Sequence, residues 1–211
     1  MCSYAGGMAT ETAKPAQRRR SARGEGDSLR QDLLAAAAEL IATHDSIESI
    51  SLRAVARGAG VSPTAVYRHF DDHLDLLGQA TEYCWENFRA AMQSGRDSSG
   101  DPFEAFRNTG LRYIDFAMEH RGQYRVLFSN RLDLGPKTPT ARDAFDILVA
   151  LIAAVLDANN DGRDPISVAM QTHTWIHGIV DLMGGNPGMP WPDTTTMLDC
   201  LGEALRLTRP A

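Results

Sequence analysis

Residues 51–70 read SLRAVARGAGVSPTAVYRHF, and the fold turns on this stretch. Leu52, Val55, Ala56 and Ala59 stand at i, i+3, i+4 and i+7, which is one apolar face of a short helix. Gly58 and Gly60 bracket Ala59 and permit a tight reversal that a Cβ would resist, while Val61 is the apolar residue that plugs the corner. A second helix then begins. Ser62 suits the N-cap and Pro63 the first helical position, where its fixed φ fits and its missing N–H would have had no partner. Val66 and Phe70 face inward from this second helix; Thr64, Ala65, Tyr67, Arg68 and His69 face out.

The same stretch holds three arginines and no carboxylate, in a chain whose formal charge is −6. An acid-free island in an acidic protein suits a surface that meets phosphate. Two helices joined by a Gly-containing turn, the second opening on small and hydroxylated residues, have the geometry of a helix-turn-helix that enters a major groove.

Working outward, Leu29, Leu33, Ala36, Ala37, Leu40 and Ile41 predict a bracing helix over 28–44, capped by Asp27 or Ser28. Ile47 and Ile50 point inward from the connection that follows, and Ser51 caps the next helix. Asp71 or Asp72 caps a long fourth helix carrying Leu74, Leu77, Thr81, Cys84, Trp85, Phe88 and Met92. A polar break at 93–102 precedes five more helical patterns, at about 102–119, 121–130, 138–159, 165–184 and 193–208. Loops at 135–139, 159–165 and 184–192 punctuate them, and no strand alternation occurs. The expectation is therefore an all-α chain of about nine helices in three parts. Residues 1–27 form a disordered basic arm, 28–75 a three-helix bundle with the helix-turn-helix, and 76–211 a second helical domain.

Composition narrows the function. The 43% apolar content is ample for a packed core. Residues 1–75 hold nine Lys/Arg against ten Asp/Glu, and residues 76–211 twelve against seventeen, so the acidic excess sits away from the hairpin and any DNA contact is a local patch. As far as Arg23, the arm sets Lys14, Arg18, Arg19, Arg20 and Arg23 against the single Glu11, which suits a solvated tail or a segment that follows the DNA backbone or enters the adjacent minor groove. Cys2, Cys84 and Cys200 are odd in number and far apart, which implies no disulfide framework and a reducing compartment. The arginines near the N-terminus precede no apolar segment of the kind a secretory signal needs, and the longest apolar run, Ile147 to Leu156, is half a membrane span. No nucleophile elbow, HExxH or phosphate loop is present, so nothing selects an enzyme.

AGVSPTAVYRHF, preceded by SLRAVA and followed by DDHLDLL, resembles the DNA-binding domain of the TetR family of transcriptional regulators, closely over residues 30–77 and by helical layout beyond. The resemblance implies a cytoplasmic, ligand-responsive regulator, a repressor, that binds double-stranded DNA at a palindromic operator as a homodimer, needs no cofactor, touches no membrane, and is released by a small-molecule effector. It places Pro63, Thr64 and Ala65 in the groove and Tyr67 on the backbone or a base. Thr64 offers a hydroxyl and a methyl, and Ala65 can touch a thymine methyl. Arg53 matches a position that reaches a guanine edge or a phosphate. Ser51, Ser62 and His69 fall as phosphate contacts. His73 stands where the family usually has a lysine, and a mostly neutral imidazole is the weaker anchor.

For the second domain, the resemblance implies an effector site among Trp85, Phe88, Tyr113, Phe116, Met170, Thr174 and His177, within a wider aromatic set that includes Phe106, Tyr124, Phe128 and Phe145. The same residues at helical spacing also suit an ordinary core. Ile166, Met170, Val180 and Met183 on one helix, with Met197, Leu201, Ala204 and Leu205 on the last, suit a four-helix dimer seam or burial against their own subunit. Trp175-Ile176-His177-Gly178 resembles a Trp-x-His-Gly signature of one subgroup of the family. His173, His177 and Asp181, at i, i+4 and i+8, keep open a metal- or redox-responsive alternative, although the third group lies a turn too far for a tight site on one helix.

Overall fold

The computed structural model describes residues 25–44, 49–128 and 139–209. The arm as far as residue 24, Ile47, and the end of the sixth predicted helix with most of the loop after it lie outside those residues. Among the described residues there are nine helices and no strand: α1 Glu25–Thr43, α2 Leu52–Gly58, α3 Pro63–Val66, α4 His73–Arg96, α5 Pro102–Glu119, α6 Arg121–Phe128, α7 Pro139–Ala158, α8 Pro165–Gly185 and α9 Thr194–Ala204.

The corner at 59–61 has a local cause. Gly60 adopts φ +70°, a conformation that costs an L-residue. The Gly60 N–H donates to the Arg57 carbonyl at 3.1 Å and the Val61 N–H to the Ala56 carbonyl at 2.9 Å, which satisfies the last carbonyls of α2 and turns the chain into α3. Ser51 caps α2 by accepting from the Ala54 N–H at 3.2 Å. Val55, Ala56, Val66 and Phe70 are buried against Leu33, Ala37 and Ile41 of α1; each large side chain so buried contributes about 1.5–3 kcal/mol. Of the two candidate caps for α4, Asp72 fills the position, accepting from the Asp75 N–H at 2.8 Å. Asp75 in turn accepts from the Asp71 N–H and from Gln79, and Gln79 accepts from Arg30, so a polar chain ties α1 to α4 beside the hairpin.

Beyond the head, α4 packs along α5, α7 and α1, and α5 also meets α9 and α8. Asp101, Asp164 and Asp193 cap α5, α8 and α9. Their backbone and side-chain hydrogen bonds hold all three carboxyls below the usual range, Asp101 chiefly through the Glu104 N–H, Asp164 through the Ser167 hydroxyl and Asp193 through the Thr196 N–H. No described helix is long and apolar enough to cross a membrane.

Candidate nucleic-acid interface and internal cavity

On its outward side the hairpin is a polar shelf. Tyr67 is 61% exposed, and Ser51, Arg53, Ser62, Pro63 and Thr64 are exposed with it. Ala65 and His69 are half-buried behind them. Ser62 sits at the N-cap of α3 without a side-chain cap bond, which leaves its hydroxyl to the outside. Arg53, Arg57 and Arg68 are all exposed, and none pairs with a carboxylate among the described residues. His73 departs from the expected phosphate contact. It is half-buried, and its Nε2–H donates to the Ile50 carbonyl, so the imidazole bridges the start of α4 to the segment leading into α2.

The second domain holds a partly open cavity of about 430 Å³. Its walls are aromatic and aliphatic, with Trp85, Phe88 and Met92 from α4, Tyr113 from α5, Phe128 from α6, and Phe145 and Leu148 from α7. The rings meet edge to face: Phe88 lies 4.9 Å from Tyr113 and 5.6 Å from Phe128 between centroids, which is favourable for aromatic quadrupoles. Polar groups are few. The Tyr113 hydroxyl hydrogen-bonds with that of Tyr124 at 3.0 Å, and Tyr124 hydrogen-bonds with His177 Nδ1. Burial pushes both phenols well above the usual tyrosine range, so each remains a neutral donor at any physiological pH. His173 lines the cavity beside Tyr113, and the exposed Arg142 sets a guanidinium on its rim.

Of the residues assigned to an effector site, Trp85, Phe88, Tyr113 and Met170 line this space. Phe116, Thr174 and His177 do not. Phe116 reaches Phe88 at 5.3 Å but lines a different pocket, the exposed Thr174 hydroxyl donates to the Met170 carbonyl, and His177 stands behind Tyr124. Phe128 and Phe145 belonged to the aromatic set without being singled out, and Arg142 carried no sequence signal. Two of the seam residues are also corrected: Val180 and Leu201 are 5% and 0% exposed within their own subunit, where they fill its core. Ile166 and Met170 are over half exposed and Ala204 is exposed, with Met183, Met197 and Leu205 half-buried. The outer side of α8 adds Trp175 and Leu182, which periodicity did not select. His173 and His177 come together, ring centroids 5.8 Å apart, but no group of three His, Cys, Asp or Glu able to hold a metal occurs among the described residues.

Helix α6 touches both regions. A Cβ on Gly122 would stand 2.1 Å from the Ala42 Cα, so the backbones of α6 and α1 are pressed together, and Arg125 donates to the His44 carbonyl at 3.4 Å. Along the same helix, Tyr124 and Phe128 enter the aromatic cluster at the cavity.

A helix-turn-helix head with an exposed, carboxylate-free face, mounted on a helical domain with an aromatic cavity, defines a DNA-binding regulator. The comparisons with known proteins agree. Residues 33–80 match the family described as bacterial regulatory proteins, tetR family, and residues 106–204 the family described as tetracyclin repressor-like, C-terminal domain. The chain belongs to the TetR family of transcriptional regulators, whose members are not enzymes. A Rhodococcus sp. protein of unknown function is similar at 25% identity, with 84% of this chain and 93% of that one covered and a TM-score of 0.71. The TetR family regulator PfmR of Thermus thermophilus shares the fold at 18% identity, covering 82% and 97%, with a TM-score of 0.62. So does FadR of Bacillus subtilis, solved in complex with stearoyl-CoA, at 16% identity, covering 83% and 96%, with a TM-score of 0.65.

Proposed function

We propose that this chain is a ligand-responsive repressor: two copies occupy a palindromic operator in the cytoplasm, and a small-molecule effector entering the aromatic cavity releases them. The position of α6 carries this reading, because one helix is clamped to the head through Gly122 and walls the cavity through Phe128. An effector that displaces the Phe128 ring therefore moves the helix on which α1 leans. Release requires that the effector bind the displaced setting more tightly, by the 1–3 kcal/mol typical of such coupling, about 5–150-fold in operator affinity.

Residues 28–75 act as the head and 76–211 as the sensor and dimer module. In the groove, Thr64 and Ala65 face base edges with Pro63, Tyr67 and Arg53 beside them, while Ser51, Ser62 and His69 hold phosphates. The cavity walls favour a mainly hydrocarbon or aromatic effector with an acceptor or anionic group for His173 and Arg142. The dimer seam uses the outward side of α8, where Ile166, Met170, Trp175 and Leu182 are exposed and Gly178 has nothing within 4 Å of its Cβ position, room for a partner helix. The Trp-x-His-Gly likeness gains a meaning on this reading: Trp175 and Gly178 face the partner, and His177 turns inward to Tyr124.

The test is selection of duplexes from a random pool by the purified protein, followed by a small-molecule melting screen. Two-fold symmetric sites with salt-dependent affinity are expected, and ligands that raise the melting temperature should weaken operator binding. Asymmetric sites, or cavity ligands that leave operator affinity untouched, refute the proposal.

A further inference from the structure

Four polar side chains of the second domain stand in one line. His173 and His177 lie one turn apart on α8, and each turns its Nδ1 toward a phenol, His173 toward Tyr113 of α5 and His177 toward Tyr124 of α6. His173 Nδ1 is 3.5 Å from the Tyr113 hydroxyl, that hydroxyl is 3.0 Å from the Tyr124 hydroxyl, and the Tyr124 hydroxyl meets His177 Nδ1. Phe128 packs on both imidazoles, with ring centroids at 5.5 and 5.3 Å. His173 lines the cavity, and His177 at the other end of the line does not. The charges around the line are Asp181, a turn beyond His177 on α8, Arg121 of α6 against Gly184, and Arg142 of α7 at the cavity rim.

The number of hydrogens limits what this line can hold. Its three gaps take one hydrogen each. Burial, and after it the charge of Asp181, keeps both phenols neutral, so each brings one hydrogen and the third must come from an imidazole N–H. With neither Nδ1 protonated, two acceptors face each other across an empty gap. With both protonated, the hydrogen of one buried hydroxyl is left out of the line. Either fault leaves a buried polar group unsatisfied, which favours the complete arrangements by about fivefold or more. We propose that Tyr113 and Tyr124 tie the two histidines into opposite forms, one carrying a hydrogen at Nδ1 and the other bare there, so that a ligand in the cavity that fixes the form of His173 also fixes that of His177.

Reversing the line moves three hydrogens one place each, from His173 Nδ1 to the Tyr113 oxygen, from Tyr113 to Tyr124, and from Tyr124 to His177 Nδ1. His173 takes up a proton at Nε2 and His177 gives one up at Nε2, so the balance with solvent is unchanged. A hydrogen-bond acceptor held against His173 Nε2 calls for the arrangement with Nδ1–H on His177, and a donor held there calls for the other. The tie stands on the hydrogen bonds alone; only its use by an effector rests on the cavity being the effector site.

Nitrogen-15 spectra of the histidine rings in the full chain test it, recorded at about pH 8, where free imidazole is neutral. Two-bond correlations show which nitrogen carries the hydrogen, and His173→Gln and His177→Gln assign the signals. In the wild type one of the two rings should carry its hydrogen at Nδ1 and the other should not. Tyr113→Phe and Tyr124→Phe each delete one hydroxyl and keep the ring. The phenol that remains then fills its one gap alone, so the Nδ1–H signal should be lost and both rings should be bare at Nδ1. Wild-type rings that share one form overturn the proposal, as does an Nδ1–H on either ring that persists in either variant. No ligand is used, so a cavity that binds no effector cannot be mistaken for a failed tie.

Discussion

Gly122→Ala puts the contact between head and sensor to a quantitative test. The added Cβ would sit 2.1 Å from the Ala42 Cα and 2.3 Å from its carbonyl carbon and oxygen. Non-bonded carbons settle at about 3.5–4.0 Å, so α6 and α1 must part by roughly 1.4 Å or more. The obstructing atoms are backbone, and no rotamer change relieves them. Overpacking of this kind costs about 1–3 kcal/mol, of which the better helix propensity of alanine returns up to about 1 kcal/mol. In a chain of this length each kcal/mol lowers the melting temperature by about 2–4 °C. The control is Gly78→Ala in α4, where no atom lies within 4 Å of the Cβ position, so the propensity gain stands alone and the melting temperature holds or rises. Paired thermal denaturation should therefore separate the two variants, with Gly122→Ala melting several degrees lower. Titration of an operator duplex should show Gly122→Ala binding more weakly than its unfolded fraction explains, because the head is held at a shifted angle. If Gly122→Ala melts at or above wild type and binds DNA normally, the close approach of α6 to α1 is not what sets the head.

Tyr67→Ala removes an exposed side chain, so its unfolding free energy should stay within about 0.5 kcal/mol of wild type while duplex retention is lost; normal retention would move the reading surface elsewhere. Arg53→Ala should discriminate between its two roles in a salt titration: a phosphate contact lowers the slope of log K against log salt by about 1, whereas a guanine contact leaves the slope and relaxes specificity at one base by about 1–3 kcal/mol. Burial pushes the Cys84 thiol from 9.0 up to about 12. The unfolded chain therefore ionises it first, and the stability it contributes, full below pH 9, declines as pH rises toward 12. With Cys2 and Cys200 replaced by serine, Cys84 should ignore a thiol reagent at pH 8 until denaturant is added; labelling at the rate of a free thiol would contradict its burial.

The parts of this molecule legible in the sequence are those whose causes are local. Gly60 at positive φ, the Ser51 cap and Pro63 opening α3 each act within four residues of themselves, so the corner and the hairpin follow from reading 51–70 alone. His73 is different, since its partner is the Ile50 carbonyl 23 residues earlier, and only the folded head brings the two together. The cavity fails for a related reason. Tyr113 and Phe116 are three apart on α5, both aromatic and both buried, yet one lines the aromatic cavity and the other a separate pocket walled by α1, because α4 presents Trp85, Phe88 and Met92 to the first space and Tyr83, Asn87 and Ala90 to the second. Helix α8 sets the sharpest limit. It is apolar on two sides, and the single stripe read from its periodicity mixes them; Val180 goes into the core of its own subunit while Leu182, two residues on and outside that stripe, is over half exposed. The hydrophobic pattern says that a side chain leaves water, not which chain receives it; Ile166, Met170, Trp175 and Leu182 are the apolar residues of α8 that a single subunit leaves exposed, and the proposed dimer would draw its seam from them.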